Sequence, residues 1–450
     1  MQEEMSGAIR PIRTTPDVIF FSSSRSMLEE ILDHRNVLKA LKQVISNQGA
    51  GGVDGMQNDV LRSYLEANWT ALKQSILEGT YRPSPVRKVE IPKPQGGKRM
   101  LGIPTVLDRL MQQCLYQWLN PKYDPEFSEN SYGFREGRNA HQAVKQAQIY
   151  LNERYEWVIE LDLEKFFDRV NHDKLMGLLA KRIEDKRTLK LMRSYLNSGI
   201  MEGGMVSQRT EGTPQGSPLS PLLSNIMLHE LDKELLQRGH RFVRYADDCS
   251  IYVKSEKSAL RVQESITQYI ENKLKLKVNR EKTQISSPTK STLLGFSFFR
   301  RAGKWEIRIS PKSLKRIKEK IKDKTKRSDP TSAEEKIKKM EAMVRGWVNY
   351  FSIARNKKMM QTLDEMVRVR LRIGLWKQWK QPKTRIRNLL KLGTRKDLAY
   401  QRGNSSLGFS RIAHSPVLST TLNKEYFRRL GYVGFYNYFY WRTEHQQKLF

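Results

Sequence analysis

Two adjacent aspartates at the turn of an apolar hairpin constrain this chain more than any other feature. Phe242-Val243 and Ile251-Tyr252-Val253 form the arms, with Ala246-Asp247-Asp248 between them. Such apolar, β-branched and aromatic arms around a short polar break predict two antiparallel strands over 241–253. A third acid, Asp162, closes another apolar strand, Trp157-Val-Ile-Glu-Leu161. Carboxylates on apolar strand ends need compensating charge, because unpaired burial is costly. A lone acidic pair is satisfied by an arginine, a lysine or solvent. Three acids on the strand ends of one sheet can converge on divalent cations, and oxygen ligands suit Mg2+ rather than zinc. Two such ions, roughly 3.5–4 Å apart, clamp the attacking and leaving oxygens of a phosphoryl transfer.

The charge balance points to a polyanionic partner. Lys and Arg number 81 against 48 Asp and Glu, a formal net charge of +33. A folded body with that self-repulsion is most simply explained by a place against nucleic acid. Over 306–450 there are 35 basic and 12 acidic residues, a net of +23, so the excess is concentrated in the last third. That asymmetry predicts a catalytic body followed by a gripping region. No apolar run approaches the ~20 residues of a spanning helix, so no membrane partner is expected. Cys114 and Cys249 are far apart, which excludes a paired-cysteine zinc knuckle and predicts ordinary core residues in a reduced, bacterial cytosolic compartment.

Along the chain, Leu28, Ile31, Leu32, Val37, Leu38, Leu41 and Val44 keep a helical period, ended by the glycine-rich loop 47–55. A second helix is predicted over 57–77, a hairpin from 87–91 and 99–103 around Gln95-Gly-Gly, and a helix over 107–119. After a short strand at 293–299, helical patterns dominate. Leu314, Ile317 and Ile321, for example, share one face between lysines.

Longer motifs carry a resemblance. Tyr245-Ala-Asp-Asp248, Glu160-Leu-Asp-Leu-Glu-Lys-Phe-Phe-Asp168 with Val170-Asn-His172, and Gly212-Thr-Pro-Gln-Gly-Ser-Pro-Leu-Ser-Pro221 stand in order. Together they resemble the reverse transcriptases encoded within bacterial group II introns. Ser131-Tyr-Gly-Phe-Arg-Glu-Gly-Arg138, 277–282, Leu294-Gly-Phe-Ser-Phe298, Gly52-Val-Asp-Gly55 and Gly346-Trp-Val-Asn-Tyr-Phe351 extend it, so that 27–400 are covered well and the last fifty residues thinly. The resemblance implies an α+β right-hand polymerase with an antiparallel palm sheet, then a helical thumb and a small DNA-binding end. The corresponding divisions are an unassigned extension at 1–26, a helical template-holding region at 27–85, fingers and palm at 86–305, thumb or maturase at 306–390, and a DNA-binding region at 391–450.

It also implies roles. Asp162, Asp247 and Asp248 correspond to the catalytic, metal-holding acids, with the Leu163 carbonyl as a further oxygen and two Mg2+ ions as cofactor. Phe167 corresponds to the aromatic beneath the incoming sugar, where a bulky ring collides with a 2′-OH. Gln215, Lys93 and Arg99 correspond to dNTP contacts, the cations facing the triphosphate. Arg135 and Arg138 are candidates for holding either template or fold. Arg368, Arg370 and Arg372, with Lys377 and Lys380 around Trp376 and Trp379, are candidates for nucleic-acid contact; the tryptophans fit equally a thumb core. The implied partners are group II intron RNA, an RNA template–DNA primer duplex, target DNA and dNTPs. Many relatives end in an endonuclease with paired cysteines and histidines; nothing like it stands here, which resembles the endonuclease-lacking, group IIC-like branch. A domesticated reverse transcriptase in repair or defence, and an RNA chaperone with a vestigial polymerase, are the competing readings.

Overall fold

Tertiary contacts divide the chain into two units, one of 1–143 with 155–285 and one of 144–154 with 286–450. The computed structural model describes residues 26–92 and 97–447. Lys93, Gln95 and, apart from Ser26, the expected extension 1–26 therefore lie outside the described residues.

The first unit holds two four-stranded sheets. Strands β1 (Val86–Pro92) and β2 (Lys98–Ile103) form the expected hairpin, Arg87 opposite Ile103 and Pro92 opposite Lys98. The palm sheet begins with β3 (Trp157–Leu161). A short hairpin, β4 (Ile200–Glu202) and β5 (Met205–Ser207), joins β1 through a parallel pairing of β4, giving the order β2-β1-β4-β5. Its turn is Gly203-Gly204, both at positive φ (57° and 85°). Strands β6 (Arg241–Tyr245), β7 (Asp248–Val253) and β8 (Gln284–Ser286) complete the second sheet, ordered β6-β7-β3-β8. The 241–253 stretch is thus the hairpin its arms predict.

Helices cover the sheet β6-β7-β3-β8 with a continuous apolar core. The helix Val106–Tyr123 buries Leu110, Cys114, Leu115 and Leu119 in the core that also holds Leu41 and Val44 of His34–Ser46. Thr105 starts it by accepting from the Asp108 amide, an N-cap. The single helix read from Met27 onward is two, Met27–Ile31 and His34–Ser46. Asp33 accepts from Arg35 N and starts the second, so a cap side chain overrides the apolar period. The other N-terminal helix runs Leu61–Leu77, shorter than the 57–77 expectation.

In the second unit, β9 (Phe296–Arg301) and β10 (Lys304–Ile309) pair as a hairpin. The Trp305 backbone bonds Gln148 and Asn152 of the helix Ala140–Asn152, which is why 144–154 belong to this unit. The two units divide at 285–286, and residue 305, near which the sequence reading sets the end of the palm, lies in β10. Three long helices follow, Pro311–Lys324, Ala333–Phe351 and Lys357–Gln378, with Ile317, Ile321, Ile337, Met340, Val344, Val348, Leu363, Val367 and Leu371 buried at helical spacing. Six shorter helices end with Phe435–Gln447.

Candidate active site

The β3–β7 register pairs Leu161 with Cys249, which brings Asp162 to the rung of Asp248, and β6–β7 pairs Tyr245 with Asp248. Asp162, Asp247 and Asp248 therefore stand at one end of one sheet. The Asp162 amide donates to Thr283 Oγ1 at 3.1 Å and its carbonyl accepts from Asn279 N at 2.8 Å. The amide of Glu164 donates to the Lys277 carbonyl, so this local ladder leaves the Leu163 carbonyl out of both bonds. Lys282 Nζ lies 3.9 Å from Asp162 Oδ1.

Loss of hydration, then repulsion from Asp247, Asp162 and Glu160, pushes the Asp248 carboxyl up to about 6. Asp248 is exposed as a residue, so the repulsion is the part of that shift on which the chemistry turns. Among the described residues no three acidic, histidine or cysteine side chains lie close enough to hold a metal ion. The donor chemistry nonetheless fits a hard divalent cation: clustered carboxylates whose mutual repulsion an added positive charge would relieve.

The turn carrying these acids is held from behind. Ala246 adopts φ +57°, a left-handed conformation uncommon for a residue with a side chain. Arg244, wholly buried, donates from Nη1 to the Ala246 carbonyl at 2.9 Å and to Asn225 Oδ1 at 3.1 Å. Its other nitrogens make a bidentate pair with the equally buried Asp232, 2.7 and 2.6 Å. Asn225 Nδ2 donates to the Gly133 carbonyl at 3.0 Å. A Cβ on Gly133 would sit 2.2 Å from Ala246 N, so only glycine lets this loop lie against the turn. None of Arg244, Asp232, Asn225 or Gly133 was singled out from the sequence, although a charge between Val243 and Tyr245 in an apolar strand was a visible signal.

A cleft of about 460 Å³ gathers three of the expected nucleotide contacts, Arg99, Phe167 and Gln215. Arg99 Nε donates to Gln215 Oε1 at 2.6 Å, and the Gln215 carbonyl accepts from Gly102 N at 2.9 Å, tying the 212–221 loop to β2. Phe167 is buried, its carbonyl accepts from Thr213 N, and its ring meets Phe166 edge-on at 5.2 Å. Gly212 (φ +88°) sits so close that a Cβ would meet the Asp168 carbonyl at 2.7 Å. Arg109, Phe134 and Asn47 also line the cleft, a role the sequence reading gave to none of them. Arg109 has no carboxylate in ion-pair range among the described residues, and burial lowers its pKa.

Of the nucleic-acid candidates, Arg135 takes the fold alternative of its two, and Arg370 and Arg372 are corrected to roles in the fold. Arg135 has its guanidinium buried on Asp124 (2.8 Å) and on the carbonyls of Ser128 and Ser131. Arg370 closes the end of Pro311–Lys324 through Thr325 and the Lys322 carbonyl. Arg372 is buried and donates to the Leu422 carbonyl at 3.0 Å. Guanidiniums spent on backbone carbonyls are not available to phosphates. Trp376 is likewise core, with Arg385 over its ring at 4.9 Å. Arg138 lies half-buried over Tyr132, Arg368 is half-buried, and Lys377 and Lys380 are exposed.

Residues 91–298 match the family model described as reverse transcriptase (RNA-dependent DNA polymerase), and 314–393 match the group II intron maturase-specific domain. Protein YkfC of Escherichia coli K12 is 34% identical over 287 residues, 55% of this chain and 75% of that protein. The chain belongs to the reverse transcriptase–maturases of group II introns. The group II intron-encoded protein LtrA of Lactococcus lactis is 32% identical over 344 residues, 62% of this chain but 57% of LtrA. The putative COX1/OXI3 intron 1 protein of Saccharomyces cerevisiae is 27% identical over 379 residues, 72% of this chain and 43% of that protein. The chain thus spans little more than half the length of LtrA. In this reverse transcriptase–maturase, the reverse transcriptase match contains all three sheet-end acids and the cleft residues Arg99, Phe167 and Gln215.

Proposed function

We propose that the protein copies group II intron RNA into DNA by target-primed reverse transcription and binds that intron to assist its splicing. The observation carrying this reading is the placement of Asp162, Asp247 and Asp248 at one end of the palm sheet, in a chain whose cleft gathers Arg99, Phe167 and Gln215. Asp162, Asp247 and Asp248, with the Leu163 carbonyl, are the residues that would hold two Mg2+ ions. Bound there, the ions supply charge neutralisation at the attacking and leaving oxygens.

The chain's own residues do the rest. Arg99, with Lys93, offers guanidinium and ammonium to a triphosphate, and Gln215, fixed by Arg99 and Gly102, presents its amide beside the sugar. Phe167, immobilised by its backbone bond and by Phe166, excludes a 2′-OH and so favours dNTPs. Arg138, Arg368, Lys377 and Lys380 remain the proposed contacts to template, primer or target DNA.

The test is primer extension on an RNA template with Mg2+ and dNTPs, run beside Asp247→Asn. Extension by the parent and none by the variant supports the reading. A folded, RNA-binding parent that extends nothing overturns it in favour of a splicing chaperone.

A further inference from the structure

His172 stands where three segments of the palm meet. It is the first residue of the helix His172–Ala180, whose N-cap Asn171 accepts from Lys174 N at 2.8 Å. Its side chain is buried. One ring nitrogen, Nε2, lies 2.7 Å from the Gly212 carbonyl oxygen. The other, Nδ1, lies 3.1 Å from Asn197 Oδ1, at the end of the helix Lys186–Asn197. A carbonyl oxygen can only accept, so Nε2 carries the proton and donates. Burial lowers the ring's pKa by more than these two bonds raise it, and Arg193 and Arg209 lower it further. At neutral pH His172 is therefore an uncharged donor.

What it holds is one peptide plane. The Gly212 carbonyl and the Thr213 amide belong to the same rigid unit. The carbonyl takes the His172 bond, while Thr213 N donates to the Phe167 carbonyl at 2.6 Å. Gly212 N donates to the Val170 carbonyl at 2.8 Å, and Asn171 bridges Glu211. A Cβ on Gly212 would meet the Asp168 and Phe167 carbonyls at 2.7 and 2.8 Å. Glycine allows that approach but leaves the peptide after it free to rotate. Gly212 is buried, so no water replaces a missing donor on its carbonyl. Rotating the peptide to find another donor would break the Thr213–Phe167 bond. Two residues on, Gln215 is tied to β2 through Gly102 N.

We propose that His172 is a positioning residue for sugar selection: its ring fixes the Gly212–Thr213 peptide, and that peptide sets Phe167 against the loop bearing Gln215. The proposal rests on the reading of Phe167 as the residue that excludes a 2′-OH. A phenyl ring on an anchored backbone rejects the extra hydroxyl, whereas one on a loosened backbone yields to it.

The experiment compares His172→Leu, His172→Gln and His172→Asn in the full chain. Leucine fills the space without a donor. Glutamine brings an amide nitrogen to the place of Nε2, and asparagine brings one to the place of Nδ1. Each variant is bound to an RNA template with a dideoxy-terminated DNA primer and titrated with the next dNTP or rNTP. Retention of the complex then reports discrimination without chemistry, and single-nucleotide extension gives KM and kcat for both sugars. His172→Leu and His172→Asn lower the dNTP-over-rNTP preference about ten-fold, through KM more than kcat, and His172→Gln restores it. An unchanged preference in His172→Leu, no rescue by His172→Gln, or a preference that follows the variants' melting temperatures instead of the Nε2 donor overturns the proposal. Phe167→Ala separates the two levels. A preference relaxed by Phe167→Ala but not by His172→Leu defeats the positioning role and leaves the steric one, whereas a preference unmoved by Phe167→Ala defeats both.

Discussion

Replacing Asp232 tests how the acidic turn is held. Asp232 and Arg244 are both wholly buried and joined by two bonds of 2.6 and 2.7 Å. Asp232→Ala leaves a guanidinium in the core with only neutral partners, the Asn225 amide oxygen and the Ala246 carbonyl. Orphaning a buried ion costs about 3–5 kcal/mol. At about 2–4 °C per kcal/mol for a body of this size, the melting temperature falls by roughly 10 °C. Thermal unfolding followed by circular dichroism measures it. The double variant Asp232→Leu/Arg244→Met removes both charges and should melt close to the parent, because apolar replacement of a buried pair is often neutral. Its primer-extension kcat should still fall roughly ten- to hundred-fold. The donor to the Ala246 carbonyl is gone, and the turn bearing Asp247 loses its fixed conformation. A single variant melting within about 2 °C of the parent would refute the buried-charge reasoning. A double variant with parental kcat would refute the positioning role of Arg244.

Gly133→Ala places a methyl 2.2 Å from Ala246 N, against backbone that cannot swing aside. Extension kcat should drop with template affinity retained, and a variant that polymerises normally would show that the turn tolerates displacement. Phe167→Ala should gain ribonucleotide incorporation, scored by competing rNTP against dNTP in single-nucleotide extension; unchanged discrimination would dismiss the steric role. His229, edge-on to Phe127 at 5.5 Å, has its pKa pushed down from 6.5 to about 4, by burial first and Lys233 second. The unfolded chain therefore takes up the proton first, so stability is full above pH 6.5 and lost as pH falls through about 4. The residue is only partly buried, which limits the loss to about 1–2 kcal/mol. His229→Gln should flatten the melting temperature between neutral and acid pH, and an unchanged slope would assign it elsewhere.

Legibility in the sequence followed the range over which each interaction acts. Strands β6 and β7 were visible because alternating apolar arms and a turn lie within thirteen residues. The hairpin β4–β5 escaped: its strands are three residues each, and its Met205 and Val206 are exposed, so no buried face imposes a pattern. Alternation of arginine with apolar residues over 368–372 suggested a phosphate-facing row. On a helix, alternate positions point in different directions, so Arg370 and Arg372 reach different backbone carbonyls rather than one surface. The same argument explains the site. Asp162, Asp247 and Gln215 sit in contiguous motifs, whereas the support of Ala246 is assembled from Gly133, Asn225, Asp232 and Arg244, across more than a hundred residues of chain. Asn225 and Asp232 are seven apart on Ser220–Gln237, two turns of one face, yet they look like ordinary polar interruptions until Arg244 is placed against them. Geometry that must hold a left-handed alanine beneath two repelling acids is specified by those distant side chains. The motif names the chemistry, and the buried arginine behind it fixes where that chemistry stands.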